Sequence, residues 1–186
     1  MTPIAALWLP IVISAVVVFI ISALINMVTP WHAADYRKLP NEGAIADALR
    51  MHAIPPGDYM LPRPSGMADM KSAEFIERMN RGPRMTLSVL PNGPASLGRS
   101  LVAWFIFVVS VTVIGAHLAA GILPLGAEHA DVFHVIGLYS FAAYAFALWP
   151  VSIWYGRGWA ITSRATLDGL IYAIATALVF MWLWPR

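Results

Sequence analysis

The chain contains no cysteine and little charge: of 186 residues only 12 are Lys or Arg and 10 are Asp or Glu. Without cysteine, disulfides, thiolate metal sites and a cysteine nucleophile are excluded, while the compartment stays open. A net charge of +2, with no basic stretch interleaved with aromatics, removes the case for a nucleic-acid partner. Catalytic signatures are also missing. There is no His-Glu-x-x-His, no Gly-x-Ser-x-Gly and no paired-carboxylate constellation. The stretch from Pro91 to Ser100 fits neither a Walker nor a dinucleotide pattern, so it reads as an ordinary turn. No reaction is written in this sequence, and the expectation is a protein that is not an enzyme.

Apolar residues are what the chain has in abundance, at 59% of the total with a mean hydropathy of +0.69. They fall into four long runs, residues 4–28, 101–123, 132–155 and 167–184. A bilayer's hydrocarbon core of about 30 Å takes roughly 20 helical residues to cross. Only helices or closed barrels satisfy their own backbone in lipid, and these runs lack the alternation of strands. The expected fold is an all-α transmembrane four-helix bundle, with a small α+β polar cap, residues 29–100, inserted between helices one and two. The first run exceeds the roughly 7–15 residues of a signal-peptide core and no Lys or Arg precedes it, so it reads as a retained membrane helix.

Lys and Arg set the expected orientation. Arg37, Lys38, Arg81, Arg84 and Arg99 lie in the cap and Arg157 and Arg164 in the loop after run three. The loop from Pro124 to Asp131 holds none. Cap and third loop are therefore expected in the cytoplasm and both termini outside, with Arg186 in mild disagreement. Trp8, Trp31, Trp104, Trp149, Trp154, Trp159, Trp182 and Trp184 fall near run ends, as an aromatic belt at the headgroups would.

In the cap, which holds nine of the fourteen prolines, Asn41 reads as the cap of one short helix and Ser72 of a second, with Phe75, Ile76 and Met79 inward. Pro55 to Tyr59 reads as a turn, residues 60–64 as extended chain, and Arg84 to Leu90 as a half-buried strand. Gly169, Ala173 and Ala177, and Gly115/Ala119 with Ala116/Ala120, form small-residue ladders of the kind that bring membrane helices close. Pro10 and Pro150 are expected to kink runs one and three.

Three sets of side chains are candidates for chemistry. His117, His129 and His134, with Glu128 and Asp131 nearby, have the donor types of a metal site. His117 and His134 are also candidate axial ligands of a haem b between runs two and three. The preferred reading has His117 hydrogen-bonding a neighbouring helix and the other two wet at the interface, so no cofactor is expected. Asp168, Tyr172 and Thr176 make one polar stripe at four-residue spacing, a candidate lining for a polar path through the bundle. The preferred alternative pairs Asp168 with Arg164 one turn away.

Several phrases together resemble a family of uncharacterised bacterial membrane proteins: Pro56-Gly57-Asp58-Tyr59-Met60, Glu74-Phe75-Ile76-Glu77, Leu90-Pro91-Asn92-Gly93-Pro94, Ser152-Ile153-Trp154 and Asp168-Gly169-Leu170-Ile171-Tyr172. The resemblance implies a bacterial source and an integral membrane location, and carries no activity or site residues. The resulting expectation is an accessory or assembly subunit of a larger inner-membrane complex. Its partners would be the lipid bilayer and other membrane subunits or further copies of itself. A haem- or metal-binding redox subunit and a small oligomeric transporter are the alternatives.

Overall fold

A computed structural model describes every residue from Met1 to Arg186. The chain is mostly helical and divides into two units, one formed by Met1–Arg37 with Ser96–Arg186 and the other by Lys38–Ala95.

Four helices of the first unit are long and apolar enough to cross a membrane, spanning Ile4–Val28, Leu97–Ile122, His129–Tyr155 and Trp159–Leu183. The first begins with a 3-10 turn, Ile4–Leu7, becomes α1 at Trp8–Ala23 and ends in one π-helical turn, Leu24–Val28. Pro10 does not interrupt it. It lies in the first turn of α1, where a missing N–H costs least. Helix α5 is Leu97–Ile122. The third membrane-length helix is broken, as its proline demands: α6, His129–Ala145, gives way to a 3-10 turn, Phe146–Leu148, before α7, Trp149–Tyr155. Pro150 offers no N–H to Phe146, and its ring crowds that carbonyl. Helix α8, Trp159–Leu183, starts well before the apolar run at Leu167, so Arg164 and Asp168 both stand inside a continuous helix.

The helices form an up-down ring in which α1 contacts α5 and α8, and α6 contacts the same two. The small-residue ladders line the seams. Gly169 lies so close to α6 that a Cβ there would be 3.1 Å from the Cβ of Ala145 and 3.3 Å from the backbone of Tyr144. A Cβ at Gly115 would be 2.9 Å from the Tyr139 ring. The outward faces stay apolar, with residues such as Ile106 and Leu178 exposed and Leu138 at 72% exposure.

The two ends of the ring differ. At the terminal end, Thr2 donates its backbone N–H to Ala120 O (3.0 Å) and its hydroxyl to Leu123 O (2.9 Å), while Gly126 N–H reaches Pro185 O (2.9 Å). Behind these bonds lies an apolar core of Leu7, Ala119, Val132, Ile136, Ala177 and Phe180. Toward the other end the interior becomes aromatic and polar, with Trp104, Tyr144 and Tyr172 packed edge to face. Ser14 and Thr176 there return their hydroxyls to the carbonyls of Pro10 and Tyr172, which satisfies them inside an apolar setting.

The tryptophans do more than ring the helix ends. Trp8, Trp154 and Trp182 are exposed there, but Trp104 donates inward to Ser22 (2.8 Å) and Trp184 to Pro124 O (3.0 Å).

The second unit comprises α2 (Glu42–Met51), β1 (Gly57–Leu61), α3 (Met67–Met70), α4 (Ala73–Arg81) and β2 (Met85–Val89). The strands pair antiparallel, with Gly57 opposite Val89 and Leu61 opposite Met85. Arg84 to Leu90 is a strand as its alternation predicts. Its partner, however, begins inside the segment expected to turn, because Gly57 and Asp58 are drawn into the ladder. Ser72 caps α4 by accepting from Phe75 N–H (3.1 Å). Asn41 does not cap α2: it is left-handed, at φ 50°, and its side chain accepts no capping bond. Of the three residues expected inward on α4, Phe75 alone is fully buried, whereas Ile76 is exposed.

Candidate functional site

At the end of the four-helix unit remote from the termini, four ionisable side chains and one indole form a continuous hydrogen-bonded chain. Its first half comes from the turn after the π-helical end of α1. Thr29 donates its hydroxyl to Ile25 O (2.6 Å) and its oxygen accepts from Trp31 N–H (3.4 Å), capping the 3-10 turn Pro30–His32, which Pro30 opens. That turn carries Trp31, His32 and, three residues on, Asp35 toward α8.

The second half is Arg164 and Asp168, one turn apart on α8. Asp168 accepts from Trp31 Nε1 (3.0 Å) and lies 2.8 Å from His32 Nε2. The other ring nitrogen, Nδ1, is 2.7 Å from Asp35. Arg164 Nε donates to Asp35 Oδ1 (2.7 Å), and its terminal nitrogen reaches the same oxygen. The order is thus Asp168, His32, Asp35, Arg164, alternating in sign. Asp35 and Asp168 are each only 8% exposed at the side chain, and His32 and Arg164 about a fifth.

A neutral imidazole has one N–H. Donating to a carboxylate at each nitrogen takes the doubly protonated ring. With that ring the four groups sum to zero charge, which is the condition under which such groups tolerate burial. Burial by itself disfavours the charge on Asp35. The hydrogen bonds from His32 and Arg164 outweigh it and hold this carboxyl below its ordinary range.

The expected pair between Arg164 and Asp168 is therefore not what forms. Asp168 already accepts from Trp31 and His32, and Arg164 gains two contacts by turning to Asp35. His32 and Asp35 were not singled out in the sequence. The available signal was their three-residue spacing directly after the first apolar run and a proline, which places a titratable pair at the end of a helix long and apolar enough to cross a membrane.

Asp168, Tyr172 and Thr176 do share the interior face of α8, and all three are buried. Ile136, Ala177, Phe180 and Leu7 belong to the apolar core nearer the terminal end. Beside the stripe, the Tyr144 hydroxyl is buried with no hydrogen-bond partner.

The three histidines behave differently. His117, His129 and His134 are all exposed. His117 does not bond a neighbouring helix, because Gly115, Ala116, Ala119 and Ala120 take the interior face of α5 and turn it outward. Nowhere do three or more His, Asp or Glu side chains gather in a way that could hold a metal ion.

Comparison with known protein families, characterised proteins and solved structures returns no match for the chain.

Proposed function

We propose that this chain is a multi-pass protein of the bacterial inner membrane and works as a non-enzymatic accessory or assembly subunit of a larger complex. One observation carries the reading. In the second unit, Lys38–Ala95, the sole buried residue is Phe75, at 5% exposure. Met60, Leu61, Ile76 and Leu90 are exposed, the last at 76%. Apolar surface of that extent on so small a unit marks a place where another surface belongs. The two-stranded sheet β1–β2 also has two unpaired edges, which can accept a further strand.

Membrane insertion is supported by the four apolar helices with apolar outward faces. An orientation with residues 29–100 in the cytoplasm and both termini outside agrees with the Lys/Arg distribution. It also agrees with the hydrogen bonds that bring both termini to the same end of the ring.

Purification of the full chain from native membranes in mild detergent tests this reading. A stoichiometric partner is expected, and Met60→Glu with Leu90→Glu is expected to release it while the helical signal is retained. A homogeneous monomer from unmodified membranes would overturn the assignment.

A further inference from the structure

Beside the ion-pair chain lies a cavity of about 470 Å³ walled by Ile25, Thr29, Pro30, Trp31, Asp168 and Ile171. That size is typical of small-molecule sites, which combine apolar walls with few polar groups. Asp168 is the only ionisable residue on this wall. The opening is on the outward side of the helices, where Ile171 and Trp31 are each more than 40% exposed. Ile25 belongs to the last turn of the first helix. The cavity thus stands where helix, indole and carboxylate mark the boundary between acyl chains and headgroups.

Resting on the reading that these helices are embedded in lipid, we propose that this cavity binds the primary ammonium headgroup of a phosphatidylethanolamine-type lipid. Asp168 accepts one bond at each oxygen, from Trp31 and from His32. An ionised carboxylate has about four acceptor positions, so roughly two remain. A primary ammonium supplies three N–H donors and a positive charge, and charge-assisted bonds of this type are the strong ones. A trimethylated ammonium has the charge without the donors. An anionic headgroup meets Asp168 as a like charge, and both nearby cationic side chains are already committed to carboxylates, His32 to Asp168 and Asp35 and Arg164 to Asp35. The apolar walls around Ile25 and Ile171 suit the first methylenes of the lipid.

The test reconstitutes the full chain in nanodiscs holding equal phosphatidylethanolamine and phosphatidylcholine of matched acyl chains, then counts the lipids retained on release into the mass spectrometer. The expected result is about tenfold preferential retention of phosphatidylethanolamine, the scale of one charge-assisted hydrogen bond. Asp168→Asn should abolish it. Ile171→Trp fills the cavity while leaving every member of the ion-pair chain in place, and should bring the ratio to about one with unfolding temperature unchanged. Equal retention of both lipids by the unmodified chain, or a preference that survives Ile171→Trp, overturns the proposal. Displacement by millimolar soluble ethanolamine also overturns it, by assigning the site to a free amine. Flotation of the same protein with phosphatidylcholine vesicles after alkaline wash separates the two readings: if the chain floats, a failed lipid preference counts against the cavity alone, and if it does not, the membrane reading itself falls.

Discussion

His32 and Asp168, separated by 136 positions in the chain, meet at 2.8 Å and fasten the turn after the first long helix to the interior face of the last. The contact is half of a bridge, because the same imidazole holds Asp35 through its other nitrogen at 2.7 Å.

Removing that bridge should be costly. His32→Ala leaves two poorly exposed carboxylates facing a single guanidinium, and losing one partner of a buried ion pair costs about 3–5 kcal/mol. Thermal unfolding of the purified protein in detergent, followed by circular dichroism, gives the measurement. The double variant His32→Ala with Asp168→Asn should lose less than the sum of the two single changes, since both act on one network.

Acid should weaken the same region in a direction set by Asp35. Its carboxyl is held below its ordinary value of 3.8. A lowered folded-state value means that Asp35 stabilises fully above about pH 4, and that this contribution disappears as pH falls through the lower folded value. Unfolding temperatures from pH 6 to pH 3 should therefore drop more steeply for the unmodified chain than for Asp35→Asn, which starts lower. Parallel profiles would show that this carboxylate contributes nothing through its charge.

Helix contact through glycine predicts a graded response. Gly169→Leu drives side-chain atoms into Ala145 and Tyr144, and Gly115→Leu into the Tyr139 ring, whereas nothing lies within 4 Å of a Cβ at Gly121. Overpacking of this kind costs about 1–3 kcal/mol. The first two variants should unfold at clearly lower temperature than Gly121→Leu, which should match the unmodified chain.

The second unit depends on one side chain. Phe75→Ala removes its only buried residue, at a typical cost of about 3–5 kcal/mol for a buried aromatic. A unit with so little core should then lose its protease resistance within residues 38–95, while the long helices remain protected. Ser72→Ala, which deletes the cap at Phe75 N–H, should cost about 1 kcal/mol and leave the unit folded.

Much of the helical architecture is legible in the sequence, for a simple reason. An uninterrupted apolar run, a proline inside it and a ladder of small residues are local patterns, and each carries its own physical consequence. The break at Pro150, the cap at Ser72, the alternation of β2 and the inward turn of Gly169 and Ala173 could all be read this way. Reading failed where a local pattern had two partners to choose from. Asn41 looked like a cap but adopted a left-handed conformation. Gly57 and Asp58 looked like a turn but joined a strand whose partner lies some thirty residues away.

The site shows the same division more sharply. Sequence alone put Asp168, Tyr172 and Thr176 on one helix face, because a 3.6-residue period makes neighbours of positions four apart. It could not choose between Arg164 and a distant donor for Asp168, since that choice depends on which helices stand side by side. Only the ring that sets the first helix against the last brought His32 and Trp31 to Asp168 and sent Arg164 to Asp35. The same packing turned His117 outward. Periodicity acts within one helix and is written in the order of residues, whereas a hydrogen bond across 136 positions exists only after the chain has folded back on itself.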